Sequence, residues 1–431
     1  MYKQFRLYRH TGGISGVYMP VAGKSAGGKD GARMKRVRIA CAAALCAAVI
    51  WGLVSAWGEI RWKNTPVFLP SLPSFSTSAD ENGQNVPVRT VSAPVAVSPA
   101  PSVSASAACV MTGSGILLYE LGGTSFLPIA STTKIMTALL TLELGKGQLD
   151  KEFTVGDEVK VEGSALGIKP GATVTLRLLA WGMLLSSGND AASAAAVRLG
   201  GSFEGFAELM NQKARELGLE NTVYVTPSGL DADGQGSCAT DLATLACAAL
   251  QNEDFRAICS QTNGHMEIGG VPYWMTNHNR LLKEYDGCIG VKTGFTDSAG
   301  RCLVSAAERG GETIIAVVLH DPNDWADSAA LLDWGFAQLT KTALEADLTG
   351  VRIPVRAAID PETGEESTPG SVSIRQRTPV TVSLAPGEVL REEMELVCSL
   401  PADASPGDAA GMVKWVDGDG MVRGWSILEV E

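Results

Sequence analysis

The chain has 431 residues, 45% of them hydrophobic, which is enough for one large core and a smaller companion. Its formal charge of −12 is uneven, because residues 1–38 carry nine of the 35 lysines and arginines but only one of the 47 acids. A body this acidic argues against nucleic acid as a partner. With only four histidines and no Cys-x-x-Cys pair, the sequence predicts no metal site and no cofactor.

The N-terminus consists of a basic segment, 1–38, followed by an apolar run without charge, 39–58. Such a run is long enough to cross a bilayer as a helix, and the positive charge before it predicts a cytoplasmic N-terminus and an exported body. The stretch from Met34 onward equally fits a signal peptide that is cleaved after export. Both interpretations stay open: a membrane anchor, or a protein secreted after signal cleavage.

A linker is predicted next. Residues 64–105 hold seven prolines and eight serines, too few apolar groups for a core. We therefore expect a disordered tether between the N-terminal segment and a working domain.

Structure is predicted to begin at residue 106. Two short apolar runs broken by glycine, 108–111 and 115–120, predict a hairpin. Apolar residues at helical spacing then predict a block of helices near 135–145, 178–185, 191–196, 203–217 and 240–250. Strands are predicted at 290–293, 302–306 and 313–319, with a closing helix at 328–339. This order predicts a single α+β, three-layer domain over 106–345.

The remaining residues, 350–431, predict a small all-β domain. Short β-rich runs alternate with turns, and an Asp-Gly-Asp-Gly sequence joins 412–416 to 421–428 as a hairpin. The domain has no cluster of catalytic residue types, so we expect it to act in spacing, packing or partner contact.

Three short polar motifs carry the chemistry: Ser131-Thr132-Thr133-Lys134, Ser187-Gly188-Asn189 and Lys292-Thr293-Gly294. A serine hydroxyl is a weak nucleophile until a base removes its proton. Because histidines are few and no G-x-S-x-G elbow exists, lysine is the remaining base. Ser131 and Lys134 are three residues apart on a predicted helix, so they share a face. Burial and a second lysine would lower the pKa of the amine into a useful range.

The other motif residues suit supporting roles. Ser187 can pass a proton to a leaving amine, and Asn189 can orient the substrate or the catalytic side chains. The backbone N–H groups of Ser131 and Phe295 would form an oxyanion hole, with Gly294 allowing close approach of the substrate. Each motif alone is typical of a cap or a turn, but all three in this order predict an acyl-transfer site.

At this point the residues resemble a family, the low-molecular-mass penicillin-binding proteins of the D-alanyl-D-alanine carboxypeptidase type. The resemblance extends over about residues 106–430 and includes the three motifs. It also includes the stretches around them and two others: 130–138, 185–192, 228–234, 279–282 and 290–300. It implies a fold like that of the β-lactamases and transpeptidases, a helical block with an antiparallel sheet, followed by a small all-β domain.

The resemblance also implies an activity. Ser131 would form an acyl-enzyme with the penultimate D-alanine of a peptidoglycan stem peptide ending in D-Ala-D-Ala, and water would then cleave the ester. Lys134 would accept the proton and Ser187 would shuttle it, while Lys292 and Thr293 would bind the substrate carboxylate. A β-lactam would acylate the same serine. The expected location is the bacterial cell envelope outside the cytoplasm, with the apolar run contacting the membrane if it is not cleaved.

Three alternatives remain. A class A β-lactamase shares the motifs and the fold core but deacylates through a glutamate in an E-x-x-L-N loop. Glu220 stands at about the expected distance from Ser187, yet the sequence around it does not fit that pattern. A catalytically silent cell-wall-binding protein of the same fold would have no need of the base. Transpeptidation is the third, since an amine can replace water as the acceptor.

Overall fold

The computed structural model describes residues 89–94, 98–360 and 362–431. The predicted basic segment, the apolar run at 39–58 and the first part of the linker lie outside these residues. Within the described part, none of the helices is long and apolar enough to cross a membrane.

Eight helices are described, of which the last packs on the sheet and the first begins with one of the motif lysines. They are α1 (Lys134–Leu144), α2 (Leu176–Leu184), α3 (Asn189–Gly200), α4 (Phe203–Glu216), α5 (Ala239–Gln251), α6 (Glu253–Cys259), α7 (Leu281–Glu284) and α8 (Asp324–Gln338). Two short 3-10 helices, Ala130–Thr133 and Asp157–Val159, complete the helical elements of the described residues.

The strands form one large sheet in the N-terminal part, another in the C-terminal part, and several short pairs. They are β1 (Thr90–Ser92), β2 (Ala107–Thr112), β3 (Leu117–Leu121), β4 (Phe153–Thr154), β5 (Thr173–Val174), β6 (Asn263–Ile268), β7 (Val271–Thr276), β8 (Cys288–Thr296), β9 (Gly300–Arg309), β10 (Glu312–Leu319), β11 (Thr340–Leu344), β12 (Arg352–Val355), β13 (Gly370–Gln376), β14 (Val380–Leu384), β15 (Val389–Leu396), β16 (Ala409–Val416) and β17 (Val422–Val430).

A five-stranded antiparallel sheet in the order β3-β2-β10-β9-β8 lies between two hydrophobic cores. Because side chains alternate along a strand, Cys109 and Val317 face the core that α1 and α5 share, whereas Val110 and Ile314 face Leu331 and its neighbours on α8. Both faces of the sheet are covered, which explains why Ile314 to Leu319 form an unbroken apolar run. The predicted class, an α+β three-layer domain followed by an all-β part, is confirmed.

The C-terminal part has its own sheet and core. Six strands pair in the order β1-β15-β16-β17-β13-β12, and β11 pairs with β14. Trp415, Leu384 and Leu390 are fully buried in a cluster separate from the two cores above. Arg423 on β17 contacts Glu388 within this part and Glu312 on β10, so one guanidinium joins the two parts.

The prediction of a disordered linker is wrong for its last residues. Thr90–Ser92 form a strand that pairs antiparallel with β15, in the C-terminal sheet. Further along, the backbone N–H of Ser98 donates to Gln338 at 2.9 Å and that of Ser104 donates to Asp327 at 2.5 Å. Composition suggested disorder, but pairing with an existing strand edge and with polar groups of α8 satisfies this backbone.

The buried indole of Trp415 allows a test of the C-terminal core. Replacement by alanine should destabilise this part by about 3–5 kcal/mol, because a large cavity remains. Trp415→Phe should cost much less, since the indole Nε1 has no hydrogen-bond partner in the described structure and phenylalanine keeps most of the volume. Thermal unfolding of both variants checks this, and equal losses of stability would contradict it.

Candidate active site

The nucleophile of the first motif lies where the short helix Ala130–Thr133 leads into α1. Lys134 Nζ lies 2.9 Å from Ser131 Oγ and donates to the carbonyl of Ser228 at 2.7 Å. The lysine side chain is fully buried. Ser131 and Lys134 were predicted to share a helix face, and in the structure the amine and the hydroxyl are in direct contact.

Burial is the main reason that the pKa of the Lys134 amine falls well below its ordinary value, and the positive charge of Lys292 lowers it further. The negative charge of Asp190 acts in the opposite direction. A lowered pKa makes the amine give up its proton more readily, and the neutral amine can accept the proton of the serine hydroxyl, as a general base must.

The second and third motifs meet each other beside the first. Lys292 Nζ on β8 donates to Ser187 Oγ at 3.1 Å and to its neighbour's carbonyl, Thr293 O, at 2.8 Å. Burial lowers the pKa of Lys292 to about 7. Ser187 and Lys292 therefore form a hydrogen-bonded pair that can hold a proton near neutral pH.

The loop of Ser187 has a strained backbone. Its φ of 56° lies in the left-handed region, which a non-glycine residue adopts at a cost of about 1–3 kcal/mol. Hydrogen bonds hold it there: the N–H of Gly188 donates to Gly182 O at 3.0 Å, and that of Asn189 donates to Ser164 O at 2.7 Å. In this conformation the hydroxyl of Ser187 contacts Lys292.

Asn189 has a contact that the sequence did not predict. Its Nδ2 donates to the carbonyl of Glu162 at 2.6 Å, and the side chain is buried. Next to it, the carboxylate of Asp190 accepts the backbone N–H groups of Leu166, Gly167 and Ile168 at 2.8 to 2.9 Å. Both side chains thus fix the 162–168 loop beside the site.

Close approach of the backbone explains two glycines. A Cβ at Gly294 would lie 3.1 Å from the N of Ser131, so β8 runs directly against the nucleophile's helix. A Cβ at Gly229, whose φ is +80°, would lie 1.9 Å from the carbonyl oxygen of Ala130. Gly229 follows the residue whose carbonyl binds Lys134, so this loop packs against the nucleophile's helix beside the base.

A cavity of about 270 Å³ opens in front of these groups. Its lining includes Ser131, Ser187, Thr293, Gly294 and Phe295 from the predicted set. The sequence did not predict the residues that complete it, chiefly His278, Arg301, Asp324 and Trp325. They come from the start of β9, the start of α8 and the segment after β7. No motif spacing relates them to the serine, although His278 directly precedes the Asn-Arg-Leu-Leu stretch that carries part of the family resemblance.

Two other kinds of site were considered at the sequence level, a metal site and the glutamate-dependent site of a class A β-lactamase. Among the described residues, no three His, Cys, Asp or Glu side chains come together as metal ligands would. Glu220 is exposed in a turn and is absent from the cavity lining. The glutamate that a class A β-lactamase would need is therefore not in place.

The site brings a serine hydroxyl into contact with a buried lysine amine, beside a second serine–lysine pair, which is the arrangement that serine acyl transfer with a lysine base would need. Comparison with known proteins assigns the family: the chain belongs to the D-alanyl-D-alanine carboxypeptidase family of peptidases, S11, whose profile matches residues 93–323. The expected family is confirmed.

Individual proteins similar to this chain carry names of the same family. The chain is 37% identical to D-alanyl-D-alanine carboxypeptidase DacF of Bacillus subtilis over 54% of its own length and 62% of the relative's. It is 38% identical to DacB2 of Mycobacterium tuberculosis over 49% of its own length and 74% of the relative's. The crystal structure of the Streptomyces K15 DD-transpeptidase matches with a TM-score of 0.53 and 31% identity, over 56% of this chain and 100% of that one.

The two lysines predict a pH dependence. Activity should rise with pH while Lys134 loses its proton, because only the free amine accepts a proton from Ser131. It should fall as pH rises through about 7, because Lys292 then has no proton to supply through Ser187. Rates of acylation by a β-lactam from about pH 5 to about pH 10 measure both limbs. Lys292→Arg should move the falling limb upward, and a limb that stays in place would contradict the assignment.

The tight approach of Gly229 gives a second prediction. Gly229→Ala should displace the loop and its Ser228 carbonyl from Lys134, slowing acylation of Ser131 by about 10²-fold. Gly234→Ala is the matched control, because Gly234 has a similar φ of +78° but no atom within 4 Å of the position that a Cβ would take. Equal effects of the two substitutions would show that backbone strain, rather than contact with Ala130, is responsible.

Proposed function

We propose that the chain is a serine-type D-Ala-D-Ala carboxypeptidase that removes the terminal D-alanine from peptidoglycan stem peptides. The observation that carries this proposal is the pair of lysines, one buried against the nucleophile and one hydrogen-bonded to a second serine. The family and the names of its relatives support the substrate class.

The first half of the reaction is acylation. Lys134 takes the proton of Ser131 as the oxygen attacks the carbonyl carbon of the penultimate D-alanine. The backbone N–H groups of Ser131 and Phe295 stabilise the negative oxygen that results. Lys292 delivers a proton through Ser187 to the leaving nitrogen, and the peptide bond breaks. Free D-alanine departs, and the rest of the peptide stays as an ester on Ser131.

The second half is hydrolysis. The proton that Lys134 took from Ser131 first passes through solvent to the neutral Lys292, so both amines regain their starting states. Water then attacks the ester while Lys134 accepts one of its protons, and Lys134 returns that proton to the serine oxygen as it leaves. A β-lactam acylates Ser131 by opening its own amide bond, so it acts as an inhibitor of this enzyme. Thr293 on β8, in the cavity with the two serines, assists Lys292 in binding the carboxylate of the substrate. The enzyme works outside the cytoplasm in the bacterial cell envelope, either anchored through residues 39–58 or secreted.

Incubation of the full chain with a peptide ending in D-Ala-D-Ala tests the proposal. Wild type should release D-alanine, and Ser131→Ala should lose at least about 10⁴-fold in rate. Ser125→Ala, an exposed serine on the same approach to the helix, is the control and should keep full activity. A labelled penicillin should bind covalently to wild type and Ser125→Ala only.

Two results would reject the proposal in different directions. A folded wild type that releases no D-alanine would favour a cell-wall-binding protein. Rapid, repeated hydrolysis of penicillin would favour a β-lactamase, although Glu220 is not placed for it.

A further inference from the structure

Lys292 assists in binding the substrate carboxylate, but neither lysine gives the substrate a positive charge that is free of other partners and present at every pH. Lys134 Nζ contacts Ser131 and the carbonyl of Ser228, and Lys292 Nζ contacts Ser187 and the carbonyl of Thr293. Both side chains are buried, and burial lowers the pKa of Lys292 to about 7. A substrate that ends in a free carboxylate is bound best by a cation that stays charged at every working pH.

Arg301 is such a cation in the same cavity. It stands at the start of β9, directly across the ladder from Phe295 on β8, and it lines the cavity together with Ser131 and Thr293. About 43% of its side chain is exposed, so the guanidinium is open to an incoming ligand. Among the described cavity-lining residues it is the one whose positive charge persists throughout the working pH range.

Asp324 holds this guanidinium from one side only. Arg301 Nε and Nη2 donate to the two carboxylate oxygens at 2.8 and 3.0 Å, and the aspartate side chain is 5% exposed. Arg301 Nη1 donates no hydrogen bond to any described residue. Since a guanidinium has five N–H donors in a planar fork, the edge that includes Nη1 stays available for a second carboxylate.

Trp325 contacts the same group from another side. Its ring centroid lies 5.7 Å from the guanidinium carbon of Arg301, and its backbone N–H donates to Asp324 at 3.0 Å. An arginine held by a carboxylate and an aromatic ring is already oriented before the substrate arrives, so less rotational freedom is lost on binding.

We propose that Arg301 binds the C-terminal carboxylate of the substrate through this free edge, and that Asp324 is the residue that positions it. The arrangement makes a free C-terminus a requirement for cleavage, so Arg301 sets the preference for terminal over internal or amidated D-alanine. The inference rests on the proposed function and names the residue that gives it its exopeptidase specificity.

The test compares two peptides that differ only at the C-terminus, one ending in D-Ala-D-Ala and one in its amide. Wild type should cleave the free acid with a much higher kcat/KM. Arg301→Gln should lower kcat/KM for the acid by about 100-fold, mainly through KM, and leave the amide almost unaffected, so that the preference collapses. Asp324→Asn should weaken the same preference by a smaller factor, and Arg301→Lys should restore part of it.

Two control variants separate a loss of substrate binding from a loss of folding. Loss of Arg301 leaves the Asp324 carboxylate buried without its partner, which destabilises the protein. The double variant Arg301→Gln with Asp324→Asn removes that charge and should fold as wild type by thermal unfolding, yet still lack the preference. Arg280→Gln is the matched control: Arg280 also lies 5.7 Å from the ring of Trp325, but it pairs with Glu284 and does not line the cavity.

The outcomes separate the two proposals. If wild type cleaves the acid and Arg301→Gln keeps the full preference for it over the amide, the role of Arg301 is wrong while the proposed function stands. An equal loss on both peptides would also reject it, because a carboxylate contact acts on the acid alone. If folded wild type cleaves neither peptide, both proposals fall together.

Discussion

The chemistry proposed for this protein depends on one lysine amine that is buried in the interior. A buried ammonium without a partner is strongly disfavoured, so the amine of Lys134 loses its proton at a lower pH than usual. A carboxylate in contact with it would reverse this effect and leave a protonated lysine that is useless as a base. Asp190 is close enough to act on Lys134, but three backbone N–H groups hold its carboxylate on the 162–168 loop. The same residue thus orders that loop without pairing with the base.

The layered fold explains how such a site persists. Ala130 and Ser187 both have positive φ, at 47° and 56°, and each is strained by about 1–3 kcal/mol. One precedes the nucleophile and the other contacts Lys292, so the strain lies where the catalytic hydroxyls must be aimed. The elements that hold these residues, α1, α2 and β8, contribute to the core shared by helices and sheet. The packing of that core stabilises two local conformations that the sequence alone would not favour.

The sequence predicts those contacts of the site that depend on the spacing of nearby residues. Ser131 and Lys134 are one helical turn apart, so their contact follows from the period of the helix. The meeting of Ser187 with Lys292 followed from the combination of motifs rather than from spacing, because 105 residues separate them. The ion pair between Arg301 and Asp324 could not be predicted in this way. These residues meet because β9 and α8 are adjacent in the fold, and each alone is typical of a solvated surface residue. For Asn189, the residue type indicated a hydrogen-bonding role, but not that its partner would be the backbone of a loop 27 residues earlier.

The linker shows a different limit. Its proline and serine content predicts that it has no core of its own, yet Thr90–Ser92 needs none to form a strand, because β15 offers an open edge. Val91 and Ala93 then join the C-terminal core, and the chain reaches α8 only afterwards. Edge pairing satisfies backbone groups regardless of side-chain composition, so composition cannot predict it. As a result, the segment that leads into the catalytic part is tied first to the C-terminal sheet, and the ion pairs of Arg423 join that sheet to β10.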